Sequence, residues 1–136
     1  MSYYRGGIVK KRSDLIYPKL SYKINSLLFK VFKNLGQGHL ERHYQNYLKE
    51  LLVEEKIIFE KEKYLPIEMG KYKLGKRYAD FVIEDRLVIE LKKGQFISSF
   101  TIQQTLDYLK ILNFKLGLIA CFTSTGVYIK RIVNLY

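Results

Sequence analysis

Residues 116 to 122 are apolar without interruption, running from Leu116 through Ile119 and Cys121 to Phe122. The run is far short of the roughly 20 residues a membrane-spanning helix needs, so it reads as a strand buried at the centre of a sheet. A further strand is expected over 127 to 133, after Ser124, Thr125 and Gly126. Residues 78 to 83 and 87 to 92 share the same aliphatic, β-branched character and are separated by the turn-like Glu84, Asp85 and Arg86. Residues 57 to 68 read as an extended strand whose charged alternation implies one wet face, and Pro66 marks it as an edge or a bulge.

Helices fill the intervals. Leu20, Ile24, Leu27, Leu28, Val31 and Leu35 recur with helical period, and Gly36, Gln37 and Gly38 supply the loose backbone that ends a helix. A second helix is expected over about 39 to 56, carrying Leu40, Tyr44, Leu48, Leu51 and Leu52 inward. A third begins at Ser98 and Ser99, either of which can cap it, and turns Ile102, Leu106, Leu109 and Leu112 to one side. Two helices, three strands, a helix and two strands are accommodated most economically by one α/β sheet with helices packed on it.

Charge inside the apolar strands needs a reason. In 87 to 92, Leu87, Ile89 and Leu91 share the core face, which leaves Glu90 and Lys92 together on the other. In 78 to 83, Phe81 and Ile83 point inward and Asp80 and Val82 outward. If Asp80 lies opposite Glu90 in a hairpin, Val82 pairs with Val88 and Ile83 with Leu87, leaving residues 84 to 86 as a connection of common length. A slip of one residue would send Asp80 to the opposite face and disperse the cluster.

Two carboxylates held close in a partly dry cleft either raise a pKa or share a cation, and oxygen ligands of this kind suit Mg²⁺ or Mn²⁺. The Lys92 ammonium beside them would orient a water or stabilise charge on a phosphoryl oxygen, which is the chemistry of phosphodiester hydrolysis. The competing reading makes Glu90 and Lys92 a same-face surface pair on an edge strand, worth little energetically. Gln104 and Tyr108, four residues apart, present an amide and a phenol on one helical face, although a polar helix edge has the same spacing. Glu41 opens the second helix, where an acid reaches the sheet's carboxylates or simply complements the helix dipole.

Taken in order, Gly38-x-x-Glu41-x-x-Tyr44, Asp80, Glu90-x-Lys92 and Gln104-x-x-x-Tyr108 resemble the GxxExxY proteins of the PD-(D/E)XK nuclease superfamily. The resemblance extends over about residues 14 to 134, including the segments 20 to 24, 35 to 38 and 130 to 134. It implies a restriction-endonuclease-like core, a mixed central sheet flanked by helices in the order ααβββαββ. It also implies that Asp80, Glu90 and Glu41 bind the metal and that Lys92 serves the attacking water. Gln104 and Tyr108 look like the helical QxxxY element that supports the site, with Tyr44 a further supporting residue. Ala79 stands where the superfamily's name has a proline, a position that supplies no ligand.

The chain of 136 residues carries 24 Lys and Arg against 13 Asp and Glu, a net charge of +11 that favours a polyanionic partner such as nucleic acid. An AT-rich genome supplies the same lysine excess, so charge alone is not diagnostic. Residues 1 to 13 carry Arg5, Lys10, Lys11 and Arg12 with no acid and are expected to form a mobile basic arm that, with Lys93, touches phosphate. Tyr3, Tyr4, Tyr72 and Tyr78 could stack on unpaired bases. Residues 14 to 136 are read as one domain, since 48% hydrophobic content can bury a core and no linker divides them.

The single cysteine, Cys121, excludes an internal disulfide and any thiolate cluster held by this chain alone. His39 and His43 are one helical turn apart, but no third soft ligand stands nearby in sequence. With no apolar leader or membrane span, the expected setting is the cytoplasm. The expected function is Mg²⁺- or Mn²⁺-dependent hydrolysis of nucleic acid, DNA ahead of RNA, in repair or defence. A binding module of the same fold without turnover is the alternative, and a dimerisation domain a third; a homodimer or a larger complex stays open.

Overall fold

The computed structural model describes residues 16 to 135. Its elements follow the expected order: α1 Pro18–Leu35, α2 Glu41–Glu54, β1 Phe59–Met69, β2 Tyr72–Ile83, β3 Leu87–Lys93, α3 Ser99–Leu112, β4 Leu116–Phe122 and β5 Val127–Val133. The strands form one mixed sheet in the order β1-β2-β3-β4-β5, antiparallel throughout except for the parallel pair β3 and β4. A parallel pair needs a crossover, and α3 supplies it.

Helices cover both faces of the sheet. On one side α1 buries Ile24, Leu27, Leu28 and Val31, and α2 buries Tyr44, Leu48, Leu51 and Leu52, against Phe81, Ile83, Leu87, Ile89 and Leu91. On the other, α3 closes over Val82, Val88, Ile119 and Ile132. β4 is buried along its whole length, as its unbroken apolar run requires. Among the described residues no helix is long and apolar enough to cross a membrane.

The turn chemistry explains the element boundaries. Gly36 (φ +73°) and Gly38 (φ +88°) adopt the left-handed backbone that releases α1, and the Gly36 N–H donates back to the Phe32 carbonyl at 2.7 Å. Ser98 caps α3 by accepting from the Thr101 N–H at 3.1 Å. Between β2 and β3, Glu84 and Asp85 are left-handed and the Arg86 N–H returns to the Ile83 carbonyl at 3.0 Å, closing the short connection. The register is the expected one, with Val82 opposite Val88 and Ile83 opposite Leu87.

Three local expectations are corrected. α2 starts at Glu41, so Leu40 is its N-cap and is 47% exposed instead of inward-facing. α3 is rotated relative to its apolar stripe: Thr101, Thr105, Tyr108 and Leu109 are buried, while Ile102, Leu106 and Leu112 are only half-buried. The small side chains face the sheet because β4 comes very close; a Cβ on Gly117 would meet the Thr105 methyl at 3.0 Å. Finally, β2 begins at Tyr72, six residues before the apolar segment that announced it, and pairs with β1 as a long ribbon. Residues 72 to 78 are all exposed, so no burial pattern marked them as strand.

Candidate active site

The β2–β3 ladder runs from Ile83 and Leu87 to Phe81 and Ile89, then stops. The next residues, Asp80 and Glu90, replace the missing rungs with their side chains. The Asp80 N–H donates to Glu90 Oε2 at 2.7 Å, and the Leu91 N–H donates to Asp80 Oδ2 at 2.8 Å. β1 is irregular at the same level: Glu62 is left-handed (φ +57°), and pairing skips from Lys61–Phe81 to Lys63–Ala79. This kink lets Phe81 sit in the α1–α2 core while Ala79, two residues away, joins the α3 side. Asp80 stands at the crossover, directed at the edge of β3.

Burial makes the pair unusual. Glu90 is 3% exposed and β3 is the middle strand of five, so the reading of Glu90 and Lys92 as a surface pair on an edge strand is overturned. Burial, followed by the Asp80 charge, pushes the Glu90 carboxyl up to about 8. Burial also raises Asp80, against the opposing pull of the Leu91 N–H and the Lys92 ammonium. Lys92 acts on both carboxyls in the stabilising sense and Glu41 on both in the opposite sense, which puts all four charges within one another's field. Among the described residues neither Asp80 nor Glu90 forms an ion pair.

Glu41 arrives from the first turn of α2, where its Oε2 accepts the Lys93 N–H at 3.1 Å just past Lys92. Tyr44 fixes that approach without joining the carboxylates. Its hydroxyl donates to the Gly36 carbonyl at 2.7 Å, and its ring stacks on Phe122 at 4.2 Å. His39 and His43 serve the same corner: His39 Nε2 lies 3.0 Å from the Leu35 carbonyl, and His43 Nδ1 accepts the Leu40 N–H at 3.2 Å. Among the described residues no three His, Cys, Asp or Glu side chains are gathered to hold a metal ion, so the histidines have no third ligand and Glu41 is not drawn into one set with Asp80 and Glu90.

From α3, Tyr108 is buried beside the pair; burial first, then the Glu90 charge, raises its hydroxyl. Gln104 is half-buried one turn earlier and has no hydrogen-bond partner among the described residues, whereas its neighbour Gln103 bonds Asp107. Cys121 is buried with a raised thiol, its Sγ 3.7 Å from the Gly94 and Phe96 carbonyls. Lys93 is exposed at the mouth, and Arg5, Lys10, Lys11 and Arg12 lie outside the described residues. Two cations went unread from sequence. Lys61 acts on Asp80 across the β1–β2 ladder, and Arg77, whose guanidinium lies over the Phe100 ring at 5.6 Å, pulls the Tyr108 hydroxyl down against its burial. Both sit on strands whose pairing, not their local sequence, brings them near.

A family model described as the PD-(D/E)XK nuclease superfamily matches residues 18–132. The chain belongs to that superfamily. Its members typically use divalent metals to hydrolyse nucleic acids. A search of curated proteins returns no significant match. Among solved structures, the crystal structure of SSO0001 is similar at a TM-score of 0.59 and 18% identity, over 93% of this chain and 70% of that one. At that identity the likeness establishes the fold alone, and it agrees with the superfamily's mixed sheet flanked by helices.

Proposed function

We propose that this protein is a metal-dependent nuclease of the GxxExxY group, with residues 14 to 136 acting as one nuclease-like domain and DNA preferred to RNA. The observation that carries the reading is the pairing of half-buried Asp80 with buried Glu90, side by side in the gap between β2 and β3 with one main-chain N–H apiece. Hard carboxylate oxygens in this number fit Mg²⁺ or Mn²⁺, and a divalent cation answers the mutual repulsion that otherwise forces a proton onto Glu90. Asp80 and Glu90 would hold the ion, with Glu41 adding a third acidic group. When bound, such an ion polarises the phosphoryl oxygen and makes a water more acidic.

The chain's own groups account for the rest. Lys92, whose charge is felt by both carboxyls, positions the attacking water and stabilises the charge that develops on the phosphoryl group. Tyr108, within the field of Glu90 and Arg77, offers its hydroxyl beside Glu90, with Gln104 one turn away to steady the backbone of the bound strand. Tyr44 keeps the start of α2 in place for Glu41. Lys93 and the basic residues Arg5, Lys10, Lys11 and Arg12 meet phosphates.

The test is incubation of the purified protein with single-stranded and duplex DNA and RNA, in Mg²⁺, Mn²⁺ or chelator, beside Asp80→Ala and Lys92→Ala. Metal-dependent cutting lost in both variants supports the proposal. Salt-sensitive binding without cutting under any metal would instead favour a binding module of the same fold, and cutting that survives both substitutions would trace to a contaminant.

A further inference from the structure

Beyond Asp80 the β1–β2 pair continues as a two-stranded ribbon without β3, its residues Pro66 to Met69 sharing a cavity with Asp107, Lys110 and Ile111 of α3, and its surface is unusual. Tyr78 and Lys76 of β2 share one face with their β1 partners Tyr64 and Pro66; past a bulge at Leu74, Lys73, opposite Glu68, stays on that face while Tyr72, opposite Met69, turns to the other. Tyr64 of β1 lies directly opposite Tyr78, the two rings meeting edge-on at 5.9 Å. These apolar groups are open to water: Tyr64 is 53% exposed, Tyr72 62% and Leu74 64%. Interleaved with them are Lys71, Lys73 and Lys76, none of which is ion-paired among the described residues, and Glu68 is the only acid between residues 63 and 78. The Lys71 ammonium sits 5.6 Å over the Tyr72 ring.

We infer that this ribbon is a grip for single-stranded nucleic acid, delivering an unpaired strand to the Asp80–Glu90 gap. The inference rests on the nuclease reading above and adds the substrate class. Exposed rings stack on bases of any sequence, and lysines beside them meet the backbone. The ribbon's positive charge disfavours a second copy of the same basic chain and complements a polyanion. Tyr78 is two residues from Asp80, so a strand held on the ribbon ends at the proposed site.

The experiment is equilibrium binding by fluorescence anisotropy, in chelator, of a labelled oligothymidylate, the same strand annealed to oligoadenylate, and oligouridylate. Tyr64→Ala/Tyr78→Ala is expected to weaken single-strand binding by about tenfold or more with the salt slope kept. Lys73→Ala/Lys76→Ala is expected to lower that slope by about 1.4, since each phosphate contact to a single strand contributes about 0.7. Tyr22→Ala, an equally exposed tyrosine on α1, serves as the control and leaves binding unchanged. Wild-type affinity in both double variants, or a duplex bound more tightly than the single strand, overturns the grip. The nuclease reading is tested separately by hydrolysis of bis(p-nitrophenyl) phosphate with Mn²⁺ by the wild type and Asp80→Ala. That substrate has no bases to stack, and binding in chelator needs no turnover, so each idea can fail alone.

Discussion

Asp80 and Glu90 are joined through the backbone, each carboxylate accepting an N–H from the other's strand, Glu90 from Asp80 itself at 2.7 Å and Asp80 from Leu91 at 2.8 Å. The strands part at the level where half-buried Asp80 faces buried Glu90, and their side chains take over the hydrogen bonding. The arrangement aligns the carboxylates while Lys92 offsets only part of their repulsion. That repulsion sets the first prediction.

In the metal-free protein, burial and Asp80 raise the Glu90 carboxyl from 4.5 to about 8. Between those values the folded protein keeps a proton that the unfolded chain has released, so stability is greatest at the acidic end and falls as pH rises through the window. The slope is about 1.4 kcal/mol per pH unit for one such group, flattening above the folded value. Denaturant unfolding in chelator at several pH values measures it. Stability that holds level or climbs from weakly acid to weakly alkaline solution would contradict the buried pair. Added Mn²⁺ should restore stability most at the alkaline end, with release of a proton on binding.

Glu90→Gln keeps the shape and an acceptor for the Asp80 N–H but removes a buried charge. The variant should therefore be more stable than the wild type in chelator at alkaline pH, by about 1 to 3 kcal/mol, and should lose most of the pH slope. It should also gain nothing from Mn²⁺ and hydrolyse nucleic acid at background rates. A stabilised but inactive protein is a combination that simple structural damage does not produce. Thermal melts with and without metal separate the two.

The hairpin register was legible because alternation is strict there: placing Phe81, Ile83, Leu87 and Ile89 on one core face leaves a single solution for Asp80 and Glu90. α1 was legible for a similar reason, its apolar stripe ending at two glycines that adopt positive φ. The ribbon over 72 to 78 was not, since a strand exposed along its length carries no burial period and is specified only by its pairing with β1. The rotation of α3 was hidden too. Thr101 and Thr105 look polar, yet the close approach of Gly117 selects them for the interface, and Thr105 satisfies its hydroxyl internally on the Thr101 carbonyl at 2.9 Å.

Lys92 lowers both Asp80 and Glu90, so its removal should shift the whole titration upward. Lys92→Met is expected to fold, to require a higher pH for Mn²⁺ to stabilise it, and to cut nucleic acid about a hundredfold or more slowly. The discriminating measurement is the pH midpoint of the metal-induced rise in melting temperature. An unmoved midpoint would mean that the Lys92 ammonium points away from the pair.

The missing side chain at Gly117 lets Thr105 bring α3 close to β4, and this approach bears on Tyr108 one turn further along the helix. A methyl group at position 117 would stand 3.0 Å from the Thr105 Cγ2 and 3.5 Å from a Leu109 methyl, the first closer than carbon atoms settle. Gly117→Ala should therefore push α3 off β4, costing about 1 to 3 kcal/mol as overpacking does. Because Tyr108 rides on the same helix, activity should fall along with stability. Thr105→Ser removes the opposing methyl and keeps the hydroxyl that donates to Thr101. The double variant should recover most of both losses, giving a coupling energy of about 1 kcal/mol or more in a double-mutant cycle. Additive losses would show that α3 does not bear on Gly117 through Thr105.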